Sequence, residues 1–332
     1  MAETFITGDL HENVTNLATI VDLAIERKRR GDKVNIISVG DLIDNSKGKE
    51  YGKNPKYFDG EVVQLANGII KKKGLEEAVK AIQQIETMHA SGQLKDLEEE
   101  KRNKIIQTYK AARQAIAQGA QEEKTLDQVT NAAEKRYVGY VPEFERAEKE
   151  GILTALISGN HDLPTPMRTK LGKVTRIVDD VPYVQLHGLK AAGIRTSQER
   201  PGYRSHPGLD DVFKELEPDF EVDSPGLTKD DPRYLAEVER LKQAGKYDVF
   251  ITHKSPADSR DEYGGGIIAP QYVADINISG HFHGTKIWKK DKRIYISTGN
   301  PDNVVRMRTN DRTKKIEQIE VYSLTGQRKD AA

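Results

Sequence analysis

Short apolar runs, many of them β-branched and each bounded by Gly, Asn or Asp, recur at 4–7, 34–39, 152–157, 248–252, 276–279 and 294–298. Such runs, apolar without alternation, are the pattern of strands buried on both faces. Between the first two, Val14, Leu17, Val21, Ala24 and Ile25 recur at helical spacing and stop at Gly31. The chain therefore opens strand, helix, strand, the βαβ unit of a mixed α/β sheet.

Residues 46–150 interrupt this pattern with a stretch rich in Ala, Glu, Lys and Gln that reads as an inserted helical module. Leu75, Val79, Ile82 and Ile85 form one helical stripe; Leu94, Leu97, Ile105, Tyr109, Ala112 and Ile116 form a second, ending at Gly119. Thr125 and Gln128 resemble a capping box that opens a third helix through Leu126, Val129 and Ala133. Pro142 and Gly151 bracket a short fourth. The bland role for these stripes is packing among the helices. The turn Asn67-Gly68 suggests a hairpin within 61–73, and His187-Gly188 another within 181–194. A second polar insertion spans 196–246, with a helical stretch near 234–241. The division expected is a core of 1–45 and 151–332 and an inserted cap or arm of 46–150.

At 332 residues the chain has the length for one large core plus an elaboration. No apolar run approaches the ~18 residues of a membrane span. The first residues lack a basic patch followed by an apolar region, so no secretory signal is expected and the chain reads as cytoplasmic. The absence of cysteine excludes disulfide scaffolds and thiolate metal sites. Lys plus Arg equals Asp plus Glu at 52 each, which gives no overall electrostatic attraction to nucleic acid or acidic membranes. Only the stretch from 284 onward is appreciably basic, 12 against 6. There Lys289, Lys290, Arg306, Arg308, Lys314 and Lys315 alternate with Val304, Met307, Ile316, Ile319 and Val321, which reads as terminal strands with solvated lysines.

Five of the eight histidines, His11, His161, His253, His281 and His283, fall at or just past the ends of predicted strands, together with Asp9, Asp41 and Asn160. In α/β folds that edge is where sites are built. The phrases are Gly8-Asp9-Leu10-His11, Gly40-Asp41-Leu42-Ile43-Asp44, Gly159-Asn160-His161-Asp162, His253 after a strand, and Gly280-His281-Phe282-His283. Oxygen and nitrogen donors without sulfur suit Mn, Fe, Zn or Ni over copper(I) or an iron–sulfur cluster. In an extended segment alternate residues share a side, so Asp9 with His11, and His281 with His283, are expected to converge pairwise. His89, on a predicted helix, and His187, at the hairpin turn, read as structural or solvated, as does His206 before Pro207.

These five blocks, in this order, resemble the calcineurin-like metallophosphoesterase superfamily, with its D-x-H, G-D-x-x-D, G-N-H-D/E, H and G-H-x-H. The combination is specific where each block alone is weak. The resemblance covers 1–45 and 151 to about 305 and implies a four-layer αββα sandwich of two mixed sheets flanked by helices; the residue pattern alone implies only mixed α/β. It further implies two divalent metal ions, manganese favoured. Asp9, His11, Asp41 and His283 would hold one, and Asp41, Asn160, His253 and His281 the other, with Asp41 bridging. Two cations ~3.5–4 Å apart can bind phosphoryl oxygens and activate a water for in-line attack. His161 would then stabilise charge or protonate the leaving group, Asp162 would orient His161, and Asp44 would support a ligand. Asp44 and Asp162 also fit the simpler role of turn or helix caps.

The substrate expected is a phosphoester, with a nucleotide among the candidates. Asn45 and Ser46 after Asp44, and Ser158 before Gly159, depart from the Arg-containing blocks of protein Ser/Thr phosphatases. The stretch 252–256 (THKSP) followed by Gly264–266 resembles the H-x-P-P then Gly pattern of small phosphodiesterase-like members, with Ser255 in place of the first Pro. A diester is therefore favoured over a monoester. A DNA or RNA nuclease of the same superfamily is the alternative, without support from the neutral net charge, and a non-catalytic protein-binding scaffold is the alternative of another class. No membrane partner is expected, and the insert is placed to mediate oligomerisation or partner binding.

Overall fold

Two facing sheets form the centre of the molecule. The computed structural model describes residues 1–11, 13–43, 74, 76–88, 91, 93, 97–118, 126–159, 162, 164–194, 232–253, 273–281, 284–290, 292–310, 312–324 and 328–329. Among these the strands are β1 (Ala2–Thr7), β2 (Lys33–Ser38), β3 (Leu153–Leu156), β4 (Arg176–Ile177), β5 (Val184–Leu186), β6 (Leu189–Ile194), β7 (Val249–Thr252), β8 (Ile276–Ser279), β9 (Thr285–Lys290), β10 (Arg293–Thr298), β11 (Asn303–Thr309), β12 (Ile316–Ser323) and β13 (Arg328–Lys329). The helices are α1 (Val14–Arg29), α2 (76–88), α3 (Glu99–Gln118), α4 (Leu126–Val138), α5 (Val141–Lys149), α6 (Pro164–Leu171) and α7 (Pro232–Ala244).

One sheet runs β13-β12-β11-β1-β2-β3-β4 and the other β5-β6-β7-β8-β10-β9. Their centres are parallel, β1 to β4 in the first and β6, β7, β8 and β10 in the second, while β11, β12, β13, β5 and β9 pair antiparallel. Alternation of side chains divides each strand between two cores. Ile6, Ile37, Val249, Ile251, Ile278 and Ile296 meet between the sheets. Phe5, Ile36 and Leu156 face outward onto α1, α5 and α6. Ala192, Ile194 and Phe250 face α7 on the opposite side. The resulting order of layers is helix, sheet, sheet, helix, as the resemblance implies. Because the strands are covered on both faces, their sequences are continuous apolar runs.

Local sequence explains the element ends. Asn13 caps α1 by accepting from the Asn16 N–H at 3.1 Å, and Arg27, Lys28 and Arg29 close its last turn where the helix dipole favours positive charge. Gly31 follows at φ 94°. The predicted hairpin is present as β5 and β6, turning at His187 and Gly188. The buried Asn35 side chain accepts from the His187 N–H at 2.8 Å and donates to the His187 carbonyl at 3.0 Å, pinning that turn to the other sheet.

Arg306, on β11, is 7% exposed. It donates to Glu3 and, at 3.0 Å, to both Glu320 and the Tyr322 hydroxyl, because β11 lies between β1 and β12 and its side chain cannot reach water. Of the segment 46–150, α2 and α3 are tied by Tyr109 and Arg113 to Glu86. Its last part enters the main core: Tyr137, Tyr140, Phe144 and Ala147 are fully buried with Leu10, Leu42 and Met167. The expected hairpin at Asn67-Gly68, residues 196–231 of the second insertion, His89 and His206 lie outside the described residues.

Candidate metal centre

β1, β2 and β3 run parallel, as do β7 and β8, so each sheet presents the carboxyl ends of its strands at one edge. The loops past those ends meet across the two sheets. The His281 N–H, after β8, donates to Asp9 Oδ1, after β1, at 3.2 Å. Asp9, Asp41 and His253, from three separate strand ends and all buried, each bring one donor atom within 4.8 Å of the others. His253 Nε2 lies 3.2 Å from Asp41 Oδ2, and the His253 and His281 rings meet edge to face at 5.3 Å.

The orientation of His253 follows from its other nitrogen. Nδ1 is 2.7 Å from the Val39 carbonyl, which can only accept, so Nδ1 carries the proton and donates. In the neutral ring, Nε2 then presents its lone pair toward Asp41, the arrangement of an imidazole ligand fixed by a backbone acceptor.

The loop backbone is not extended. Asp9, His11, Asp41 and His281 have φ of 51°, 45°, 52° and 65°. The alternation argument for pairing Asp9 with His11 therefore fails: these residues lie past the strand, in the left-handed region. Such conformations persist where surrounding contacts over-determine them. Here the Asp9 N–H donates to the Gly40 carbonyl at 3.0 Å and the His11 N–H to the Asp41 carbonyl at 2.9 Å. The three-residue donor set does not include His11 or His281. Space is also specified: a Cβ on Gly159 would stand 2.1 Å from Asp41 Oδ1, and one on Gly280 would stand 2.8 Å from Asp9 Oδ1.

Burial, and next the Asp41 carboxylate, push the Asp9 carboxyl well above its usual range. Burial and Asp41 likewise lift Asp162 to about 6. Burial opposes a charged His253, yet Asp41 and Asp9 outweigh it and raise the imidazole to about 9. Carboxylates packed this closely resist joint ionisation unless a positive charge stands among them. A divalent cation would supply that charge, keeping the carboxylates ionised and the imidazole neutral. The oxygen and nitrogen donors, the oriented Nε2 and the glycine-lined space all fit such an ion.

Asp162 has a different geometry. It is 3% exposed and accepts from the backbone N–H of Leu42 at 3.0 Å, Ile43 at 3.4 Å and Gly159 at 2.9 Å, and from the Tyr137 hydroxyl at 3.3 Å. It thus ties the loop after β2 to the loop after β3. Asn160, His161, His283 and Asp44 lie outside the described residues, as do Ser255 and Gly264–266. His187 is at its hairpin turn, its Nε2 donating to the Gly151 carbonyl at 3.2 Å. Sequence reasoning missed Tyr137 and Tyr140, which touch the Asp41 loop. Their signal was present, since the stripe through Ala133 continues at helical spacing into Tyr137, Tyr140 and Phe144.

No family model and no curated protein matches the chain. Among solved structures it is similar to TT1561 of Thermus thermophilus, with 12% identity over 97% of this chain and 98% of that one and a TM-score of 0.49. It is also similar to a candidate 5′-nucleotidase from Staphylococcus aureus, with 13% identity over 97% and 54% and a TM-score of 0.40. A third likeness is to the phosphopantetheinyl hydrolase of Mycobacterium tuberculosis, with 13% identity over 90% of each chain and a TM-score of 0.37. Likenesses this distant leave the site's own residues as the ground for a functional reading. Among the described residues, no helix is long and apolar enough to cross a membrane.

Proposed function

We propose that the chain is a calcineurin-like metallophosphoesterase that hydrolyses a phosphodiester in preference to a monoester. The observation that carries this reading is the convergence of Asp9, Asp41 and His253 from three strand ends. The ligand set is Asp9, His11, Asp41 and His283 for one ion and Asp41, Asn160, His253 and His281 for the other, with manganese the favoured metal. Two such cations, when bound, supply Lewis-acid polarisation of phosphoryl oxygens and a water of lowered pKa.

The chain's own residues do the rest. Val39 holds the His253 proton on Nδ1, so Nε2 stays available as a donor without a conformational adjustment. Asp41 and Asp9 provide negative charge in a buried setting, where electrostatic attraction to cations is strong. His161 protonates the leaving oxygen. Asp162 positions the two loops that carry Asp41 and His161, consistent with its backbone partners. The inserted segment, placed between Asp44 and Asn160, serves as a cap or partner-binding arm.

Purified protein with Mn²⁺ is expected to hydrolyse bis(p-nitrophenyl) phosphate faster than p-nitrophenyl phosphate. Asp41→Asn should lower that rate by more than about 100-fold, a larger loss than removal of an outer partner of a ligand causes. Turnover of neither ester by protein shown to contain manganese would overturn the proposal.

A further inference from the structure

The loop 40–43 is gripped at successive backbone groups. The Gly40 carbonyl accepts from Asp9, the Asp41 carbonyl from His11, and the Leu42 N–H donates to Asp162. The next group, the Leu42 carbonyl, accepts from the Tyr140 hydroxyl at 2.5 Å. Tyr137, one turn earlier, donates to the same Asp162 oxygen that receives Leu42 and Ile43. Both tyrosines are fully buried, and both belong to the junction of α4 and α5, the far end of the inserted segment.

We propose that Tyr140, assisted by Tyr137, is a positioning residue that holds the left-handed Asp41 loop in register, so that the base of the insertion sets the geometry of the metal-side carboxylate. The physical reason is the strain at Asp41, whose φ of 52° needs fixed neighbours. Asp162 fixes one side of the Leu42 residue and Tyr140 the other. A ring without the hydroxyl would fill the same space while leaving the Leu42 carbonyl without this donor. The part of the inference that concerns cation affinity rests on the metal-site reading above; the part that concerns the loop does not.

The test uses full-length, metal-stripped protein and its Tyr140→Phe and Tyr137→Phe variants, with Phe144→Leu as a packing control. Amide hydrogen exchange is measured across 34–43, and Mn²⁺ binding by calorimetric titration. In Tyr140→Phe, exchange at Leu42 and Ile43 should accelerate at least about tenfold while the β2 amides keep their protection, the signature of a local opening. Mn²⁺ affinity should fall by about tenfold, as for loss of an outer partner of a ligand. Tyr137→Phe should act in the same direction more weakly, because Asp162 retains its three N–H donors. Phe144→Leu should change exchange throughout the core without singling out 42–43. Unchanged exchange at 42–43 in Tyr140→Phe overturns the proposal, as does faster exchange with Mn²⁺ affinity within twofold of wild type. Wild-type protein that binds no Mn²⁺ would sink the metal-site reading, and the exchange comparison would then decide the role of Tyr140 by itself.

Discussion

Gly159 has no side chain, and the Asp41 carboxylate occupies the place where one would be. An added Cβ would lie 2.1 Å from Asp41 Oδ1 and 2.3 Å from its backbone nitrogen, closer than atoms can approach, so either the carboxylate or the loop must move. Gly159→Ala is therefore expected to weaken Mn²⁺ binding by at least about tenfold, with the size of an outer-sphere defect as the lower bound. Gly280→Ala, whose contact is with one oxygen of Asp9 at 2.8 Å, should cost less. Calorimetric titration of the two variants decides the order, and equal affinities for Gly159→Ala and wild type would contradict the geometry. At this scale the donor types and their strand-end placement were legible from Asp9, Asp41 and His253. The left-handed backbone at Asp9, His11 and Asp41 was not. It is imposed by hydrogen bonds from other loops, and no local sequence signal encodes those partners.

Among the elements, β2 and the β5–β6 turn are joined by Asn35, a polar residue at 0% exposure between two sheets. Its amide satisfies both the N–H and the carbonyl of His187 and also donates to Thr4 Oγ1 at 3.1 Å. Asn35→Ala leaves two backbone groups of the half-buried turn without this partner. Each costs about 1–3 kcal/mol when stranded, so a loss of roughly 2–6 kcal/mol is expected in urea unfolding. A loss below about 1 kcal/mol would show that water reaches the turn. The short apolar runs identified β1, β2, β3, β7, β8 and β10 to within a residue or two at their ends, because burial on both faces leaves a strong compositional trace. Strand order left no such trace. Glu3 and Arg306 became intelligible only once β11 was seen beside β1, since the partners of a buried charge are set by ladder pairing between distant segments.

For the whole molecule, the insertion divides by packing rather than by sequence boundary. α2 and α3 carry the largely exposed residues Val79 and Ile106, whereas α4 and α5 bring Tyr137, Tyr140 and Phe144 into the core. Replacing 74–118 by a short flexible linker should leave a cooperative thermal transition within a few degrees of wild type. Removing 46–150 should abolish it, because several fully buried aromatic side chains, each worth about 3–5 kcal/mol, go with it. Circular dichroism melts of the two deletions check this, and equal stability would place α4 and α5 outside the core. The pairing of β11 with β1 also has a consequence for how the chain is made. Ala2 and Thr309 are neighbours in the sheet but 307 positions apart in the chain. At ~5–20 residues per second, translation leaves one edge of β1 without its native partner for roughly 15–60 s. Through that interval the growing chain displays an apolar strand with unmatched backbone groups, and the Asp9 loop beyond it waits for a segment not yet made.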